Sequence, residues 1–570
     1  MLKTCLLLAL VITLVALATG MVAADRHPST PYRVGRSVVM APQGMVATSH
    51  PLAAQVGLDI LRQGGNATDA AIAVNAALGL VEPMSCGIGG DLFAMVWDAK
   101  TQKLHGLNAS GRSPYKATRS FFADKGLAEI PTTGPLSWSV PGCVDGWEEL
   151  RKRFGSMSLE QTLTPTIRYA ENGFPVTEVI AGSWHASQAA LARQPDAART
   201  YLIDGKAPEA GQVFKNPYLA KSYRELAAKG RDAFYKGRMT EEIVRFSEKE
   251  GGLFSLKDFA DHTSTWVEPV STTYRGHQVW EIPPPGQGIA VLQMLNMLEG
   301  YDLKKLGPSS ADWWHLFVEA KKLAYADRAK FYADPAFAKV PTLELISKPY
   351  AAKRRPLIDL TKAQTNAPAG DPKLGMADTV YLCVVDKDRN CVSLIQSNYF
   401  GFGSGLVPGE LGFALQNRGT LFALDANHLN RLEPHKRPFH TIIPSMVTKD
   451  GKPWFVFGVM GGDMQPQGQV EVLVNLIDFG MNVQEAGEAP RLEHLKSATP
   501  TGRPGDADGG VVIAEPGIAP EIIADLVKRG HQVMRTKKNG GGYQGILIDP
   551  KTNMLLGGSE YRKDGCAVGY

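Results

Sequence analysis

Apolar and polar residues alternate with a helical period near the start of the chain. Leu52, Val56, Ile60 and Leu61 mark one face of a helix that begins at Pro51 and ends before Gly64-Gly65. The next segment, Ala67 to Leu80, is apolar on nearly every face, which predicts a deeply buried helix.

The middle of the chain, from roughly Pro141 to Pro372, has mostly helical patterns. Ile289 to Leu298 and Trp313 to Tyr332 are predicted helices, and Ser309 to Asp312 resembles a capping box before the second.

The last third changes to short β-rich runs, and we predict strands at Thr379–Val385, Cys391–Gln396, Thr441–Val447 and Trp454–Val459. The link Asp386 to Asn390 has partial calcium-loop spacing but lacks the glycine and the distal glutamate, so a hairpin turn is favoured. Helices are expected at Gln469–Phe479 and Ala519–Arg529. Segregated, hairpin-linked strands predict an α+β fold with antiparallel sheets.

One junction between a polar segment and a strand suggests a catalytic nucleophile. Thr379 follows a polar segment, Thr361 to Asp378, and begins an apolar strand. A threonine that becomes an N-terminus by a cut before it carries a hydroxyl nucleophile and an α-amine base on one residue. Taken alone, a threonine at the start of a strand is far more often structural.

Charge and composition narrow the alternatives. A net charge of +4 without a basic run gives no indication of nucleic acid. We predict a secretory signal peptide over residues 1–24 from Lys3, the apolar run Leu6 to Ala18 and the small residues Val22 to Ala24. The protein is therefore expected to be periplasmic or secreted, without a membrane anchor. An uncleaved anchor is the alternative, disfavoured because the run is short for a bilayer.

Five cysteines remain after that segment, too few and too scattered for a disulfide scaffold. Cys383 and Cys391 could face each other across a hairpin, although two buried free thiols are favoured. The histidines lack metal-ligand spacing, so no metal is expected. The glycine-rich turn at 87–90 leads into a strand and lacks a lysine, which argues against a phosphate loop.

Several stretches, in order along the chain, resemble the γ-glutamyltransferase family of N-terminal-nucleophile hydrolases, its acylase-like branch in particular. They are Leu58–Ala73, Val81–Pro83, Gly87–Gly90, Pro283–Pro285, Thr379, Val385–Asp388, Phe402–Gly405, Leu415–Gly419, Lys436–Pro438, Gly461–Gln467 and Ala567–Tyr570.

The resemblance implies a precursor that cuts itself before Thr379 into a large subunit, residues 25–378, and a small subunit, residues 379–570. It implies a four-layer αββα sandwich built by both subunits. It also implies Thr379 as nucleophile and its α-amine as base, with the backbone N–H groups of Gly461 and Gly462 as the oxyanion hole. Ser397 matches a family threonine that supports the nucleophile. No cofactor is implied.

The positions that bind the γ-glutamyl group in the transpeptidases depart from the family pattern. The arginine position reads Ser110, with Arg112 two residues later, and the aspartate position reads Leu421. The remaining positions read Tyr399, Arg418, His440 and Thr441. Arg112, Arg418 and His440 suggest that a carboxylate is still bound, whereas no carboxylate replaces the one that would bind an ammonium. Arg418 as a purely structural arginine stays an alternative.

These features predict a secreted amidohydrolase that cleaves γ-glutamyl or related acyl amides through an acyl-enzyme and favours hydrolysis. The alternatives are a true γ-glutamyl transpeptidase or glutathione hydrolase, and a non-catalytic binding protein of the same fold. The expected partners are a small amide or peptide substrate and the two subunits of one precursor. The sequence leaves the acyl group, the acceptor and the oligomeric state open.

Overall fold

The computed structural model describes residues 35–365, 378–497, 499–536 and 541–570. The predicted signal peptide, residues 1–24, and most of the polar segment before Thr379 lie outside these residues.

Two seven-stranded sheets form the centre of the molecule. Their strand orders are β1-β18-β17-β13-β12-β9-β8 and β19-β2-β10-β11-β3-β4-β7. Smaller sheets contain β14-β15-β16 and β5-β6. The strands are β1 Val39–Ala41, β2 Met45–Thr48, β3 Asp91–Asp98, β4 Lys103–Ala109, β5 Phe174–Pro175, β6 Val213–Phe214, β7 Thr265–Val267, β8 Val270–Tyr274, β9 His277–Glu281, β10 Asp378–Val385, β11 Cys391–Tyr399, β12 Ser445–Lys449, β13 Lys452–Val459, β14 Leu492–Leu495, β15 Val511–Ala514, β16 Gln532–Arg535, β17 Tyr543–Ile548, β18 Leu555–Ser559 and β19 Cys566–Gly569.

Helices cover the outer faces of both large sheets. The α-helices are Pro51–Arg62, Ala67–Val81, Arg119–Asp124, Cys143–Phe154, Leu159–Asn172, Glu178–Leu191, Pro195–Tyr201, Pro217–Lys229, Asp232–Tyr235, Arg238–Glu250, Leu256–Ala260, Ile289–Leu298, Leu303–Leu306, Ala311–Phe331, Thr342–Leu345, Lys348–Arg354, Met464–Ile477, Val483–Glu488 and Pro520–Lys528. Short 3-10 turns occur at Pro135–Ser137, Arg355–Leu357 and Arg418–Leu421.

Three apolar cores separate the layers. The core between the sheets includes Phe93 and Tyr381 from one sheet and Met446 and Val456 from the other. A second core joins β10, β11 and β3 to the helix Ala67–Val81 and its neighbours. A third joins the other sheet to the helices Ile289–Leu298, Ala311–Phe331 and Met464–Ile477. The order helix, sheet, sheet, helix confirms the predicted αββα sandwich.

Local signals explain where several elements begin. Asn66 caps the buried helix in a capping box with Asp69, and Ser310 accepts a hydrogen bond from Trp313 N to begin the long helix. The Asp386–Asn390 link is a hairpin turn, in which Asp386 Oδ1 accepts hydrogen bonds from Asp388 N and Asn390 N.

The structure departs from the sequence analysis in the middle of the chain. The mostly helical middle also contains β7, β8 and β9, which pair at the edges of both large sheets. Cys383 lies opposite Ser393, and Cys391 opposite Val385, so the two cysteines do not face each other, and the favoured interpretation of two buried free thiols is confirmed. Among the described residues, no helix combines the length and the apolar character needed to cross a bilayer.

Candidate active site

Thr379 lies at an irregularity at the start of β10. Asp378 pairs with Tyr399 and Val380 pairs with Gln396, so two residues of β11, Ser397 and Asn398, lie opposite Thr379. Thr379 Oγ1 donates a hydrogen bond to Ser397 Oγ at 3.2 Å, and Tyr399 N donates to the same oxygen at 2.8 Å. Both hydroxyls are fully buried. The bulge therefore holds the serine hydroxyl against the threonine hydroxyl.

Arg418 is a buried cation that stacks on Tyr399, the residue whose N–H donates to Ser397. Its guanidinium carbon lies 4.5 Å from the centre of the Tyr399 ring, and its Nη1 donates to Thr441 Oγ1 at 2.7 Å. Its Nε and Nη2, and the Tyr399 hydroxyl, have no hydrogen-bond partner among the described residues. Burial lowers the pKa of Arg418 to about 10, which still leaves it charged at neutral pH.

Buried polar groups without hydrogen-bond partners lower the stability of the fold unless a ligand binds to them. Each buried polar group without a partner costs about 1–3 kcal/mol, and more if charged. Two guanidinium N–H donors and a phenol next to a cation suit an anionic ligand, although the Asp91 carboxylate is also close enough to Arg418 to raise its pKa. A carboxylate fits, because its two oxygens match the spacing of the guanidinium N–H groups.

His440 enters this cluster through Asp91. His440 Nε2 lies 3.0 Å from Asp91 Oδ2, and His440 Nδ1 accepts from Ile442 N at 3.4 Å. Burial lowers the pKa of His440 to about 4, so the ring is neutral and donates from Nε2. Both ring nitrogens face protein groups, which gives His440 a positioning role toward Asp91. Neither ring nitrogen is therefore available to bind a substrate carboxylate, which was the role predicted for His440.

Asp91 organises the loops around the cluster. Its Oδ1 accepts from Gly111 N at 2.8 Å, Gln416 Nε2 at 2.9 Å and Gly142 N at 3.2 Å. The sequence analysis did not single out Asp91, although it directly follows the glycine-rich turn at 87–90.

Gly461 and Gly462 lie between β13 and the helix Met464–Ile477, with φ angles of 110° and 58°. A Cβ at Gly461 would lie 2.7 Å from Gly541 N, so the close approach and the positive φ both require glycine there. Neither N–H group donates a hydrogen bond to a described residue. Two N–H groups at the start of a helix, without a hydrogen-bond acceptor in the described part of the chain, form a suitable site for a developing oxyanion.

Gln287 connects the glycine pair to the arginine cluster. Its Nε2 donates to Thr441 O at 2.7 Å and to Gly462 O at 2.8 Å. Its Oε1 accepts from Arg328 Nη1 at 2.6 Å, and Arg328 also binds both carboxylate oxygens of Asp463 at 2.7 and 3.1 Å. Sequence analysis missed Gln287, Arg328 and Asp463, although Gln287 follows the Pro283–Pro285 motif and Asp463 follows the glycine pair.

Leu421 and Arg112 occupy or adjoin positions that bind the γ-glutamyl group in the transpeptidases. Leu421 is buried in one apolar core with Tyr399, Phe439 and Ile443, so this position carries no charge. Arg112 donates to Thr263 O at 3.0 Å and has no hydrogen bond to Thr379, Arg418 or Thr441, all described residues. The structure thus brings together every predicted site residue except Arg112.

A pocket opens beside Tyr399. Its apolar lining includes Ile130, Phe400, Phe422 and Leu424. Because Tyr399 also stacks on Arg418, this pocket adjoins the arginine cluster.

Comparison with known proteins settles the family. The Gamma-glutamyltranspeptidase family model matches residues 53–570. The chain belongs to this family. It is 39% identical to the glutathione hydrolase-like YwrD proenzyme of Bacillus subtilis (strain 168), over 94% of this chain and 100% of that protein. It is 36% identical to the acylase ACY 1 proenzyme of Pseudomonas sp. (strain SE83), over 92% of this chain and 93% of that protein.

A solved structure agrees with these relatives. The cephalosporin acylase from Bacillus halodurans superposes with a TM-score of 0.86 and 42% identity, covering 96% of this chain and 99% of that chain. Family, fold and relatives together make this protein an enzyme of the amidohydrolase and acyltransferase class, and both of these relatives are named as proenzymes.

Proposed function

We propose that the chain cuts itself before Thr379 and then hydrolyses amides whose acyl group carries a carboxylate. The precursor would become a large subunit, residues 25–378, and a small subunit, residues 379–570. The observation that carries the substrate class is the fully buried Arg418, whose Nε and Nη2 have no partner among the described residues.

The cut is an acyl shift followed by hydrolysis. Thr379 Oγ1 adds to the carbonyl carbon of Asp378, the C–N bond breaks, and the departing nitrogen takes a proton and becomes the α-amine of Thr379. Water then hydrolyses the ester and leaves a carboxylate on Asp378. The 3.2 Å contact with Ser397 Oγ supports this step, because it orients the attacking hydroxyl.

Catalysis reuses the same oxygen. The new α-amine, with an ordinary pKa of about 7.7–8.0, accepts the Thr379 hydroxyl proton. Oγ1 attacks the substrate carbonyl, the N–H groups of Gly461 and Gly462 stabilise the tetrahedral oxyanion, and the leaving amine takes the proton. Water attacks the acyl ester and regenerates the threonine. Such a hole contributes roughly 10²–10³ in rate for each donor.

The charges around the pocket favour a dicarboxylic monoamide, such as a glutaryl amide, over a γ-glutamyl amide. Arg418 supplies a cation for the distal carboxylate. Leu421 supplies nothing for an α-ammonium, and both oxygens of nearby Asp463 already bind Arg328. An α-ammonium in this pocket would therefore lose its hydration without gaining a carboxylate partner.

Two measurements test the proposal. On a denaturing gel we expect two fragments from the wild type and a single chain from Thr379→Ala; cleavage of that variant between Asp378 and Thr379 would contradict self-processing. We expect glutaryl-p-nitroanilide to be hydrolysed faster than γ-glutamyl-p-nitroanilide. A strong preference for the γ-glutamyl compound would exclude the substrate class.

The second candidate is a γ-glutamyl transpeptidase or glutathione hydrolase. It is favoured by 34% identity to the glutathione hydrolase proenzyme of Escherichia coli (strain K12), over 96% of each chain. Faster p-nitroaniline release from the γ-glutamyl compound when a dipeptide acceptor is added would support it. A protein that neither cuts itself nor hydrolyses either amide would instead be a binding protein with this fold.

The N-terminal segment supports export to the periplasm or the medium. We expect N-terminal sequencing of the exported large subunit to begin at Asp25, and retention of Met1 would argue against a cleaved signal.

A further inference from the structure

A second cluster of chemically capable side chains lies outside the active site. His315 and Glu319 are four residues apart on the helix Ala311–Phe331, and His531 follows the helix Pro520–Lys528. All three are buried, and one ligand atom from each lies within 4.8 Å of the other two. The spacing of four places His315 and Glu319 on one face of their helix.

The histidines meet through their ring nitrogens. His315 Nδ1 lies 2.8 Å from His531 Nε2, and His315 Nε2 lies 2.7 Å from the carbonyl oxygen of Asp359. Because a carbonyl only accepts, His315 carries its proton on Nε2 and presents the Nδ1 lone pair to His531. A histidine that donates one nitrogen to a backbone carbonyl has the tautomer and the orientation of a typical metal ligand.

Glu319 is held in place as well. Its Oε1 accepts from Lys322 Nζ at 2.8 Å, and its Oε2 accepts from Gln364 N at 3.2 Å. Each carboxylate oxygen has a second lone pair, so Glu319 can bind a cation without losing these contacts.

We propose that His315, Glu319 and His531 bind one divalent transition-metal ion of the zinc type. Two imidazoles and one carboxylate suit zinc better than calcium or magnesium, which prefer oxygen ligands. Metal–nitrogen bonds of about 2.0–2.1 Å in tetrahedral geometry require the two histidine nitrogens to separate to about 3.4 Å. His531 moves its proton to Nδ1, and a water molecule occupies the fourth position.

Lys322 sets the strength of the site. Its ammonium binds Glu319 and the carbonyl oxygen of Gln364 at 2.8 Å each, so it places a positive charge next to the metal. The lysine ammonium and the metal cation would repel each other. The site should therefore bind more weakly than a zinc site without a lysine, and removing the charge should strengthen binding.

The site would link the two halves of the precursor. His315 and Glu319 precede residue 378 and His531 follows it, so the metal would connect the large subunit to the small one. This consequence depends on the proposed cut, whereas metal binding itself does not.

The test is metal binding by the purified full chain after treatment with a chelator. Calorimetric titration with zinc sulfate should give one ion per chain, and cobalt(II) should give the intense visible absorption of a four-coordinate site. His531→Gln should weaken zinc binding more than about 100-fold, because the loss of an outer partner alone costs about 10–100-fold. Lys322→Gln should bind zinc more tightly than the wild type.

His185→Gln is the matched control, because His185 is exposed and its ring nitrogens contact the exposed Glu209 and the carbonyl oxygen of Ala181. Its zinc affinity should equal that of the wild type. His531→Gln retains an N–H donor for His315, and metal-free thermal unfolding checks that each variant folds. No stoichiometric zinc binding by the wild type, or equal affinity in His531→Gln, would overturn the proposal.

Discussion

Replacing Arg418 by methionine separates substrate binding from folding. The change removes the guanidinium and keeps much of its length. A carboxylate would gain two charge-assisted hydrogen bonds, from Nε and Nη2, each contributing about 1.5–3 kcal/mol. The loss is thus about 3–6 kcal/mol in transition-state stabilisation, or roughly 10²–10⁴ in kcat/KM at about 1.4 kcal/mol per factor of ten.

The assay compares two acyl groups of nearly equal size. Glutaryl-p-nitroanilide should lose the full factor in Arg418→Met, whereas valeryl-p-nitroanilide, which has a methyl group in place of the carboxylate, should be unchanged or faster. The variant should unfold at no lower temperature, because it no longer buries two unsatisfied N–H groups. Arg112→Met serves as control and should affect neither substrate. Equal losses on both substrates would refute the assignment of Arg418 to the carboxylate.

Three further predictions concern the groups around the nucleophile. Ser397→Ala should slow self-cleavage about tenfold on a timed gel, since it removes one hydrogen bond to Thr379, while Ser397→Thr should cleave normally; equal rates would exclude the hydroxyl's role. Gly461→Ala should lower the midpoint of urea unfolding by forcing a Cβ to 2.7 Å from Gly541 N at φ 110°, and an unchanged midpoint would contradict the close approach. His440, with its pKa lowered to about 4, stays neutral while the unfolded chain takes up a proton at about 6.5, so stability is lost as pH falls from about 6.5 to 4. Urea unfolding of the single-chain Thr379→Ala form should lose about 3 kcal/mol more over this range than the same form carrying His440→Gln; an equal loss would refute the reading.

Elements with strong local signals were predicted well. The helix Ile289–Leu298 has its predicted bounds, and the helix after Asn66 ends one residue beyond them, because capping and apolar periodicity act within a few residues. The strand predicted at Thr441–Val447 begins instead at Ser445, since residues 440–441 contact the arginine cluster and the loop 285–287. β7 to β9 were missed because only pairing with β4 and β12 makes these short runs strands.

The site shows the same division. Thr379, Ser397 and the glycine pair are predicted from the family resemblance. The roles of His440 and Arg112 depend on neighbours distant in the chain, Asp91 and Thr263, which no local pattern indicates. Arg418 was proposed from its residue type, but the absence of described partners for its Nε and Nη2 is a property of the folded interior alone.

The strand order of the central sheet has a consequence for how the protein is made. β2 lies between β19 and β10, and β11 lies between β10 and β3, so three of the strand pairings join a strand before residue 378 to one that begins at or after it. Neither half can complete this sheet alone, and each would expose unpaired strand edges that favour aggregation. Separately produced halves should therefore be poor starting material for the enzyme. Synthesis as one chain lets the strands pair first. After a later cut, the hydrogen bonds between paired strands would still hold the two pieces together.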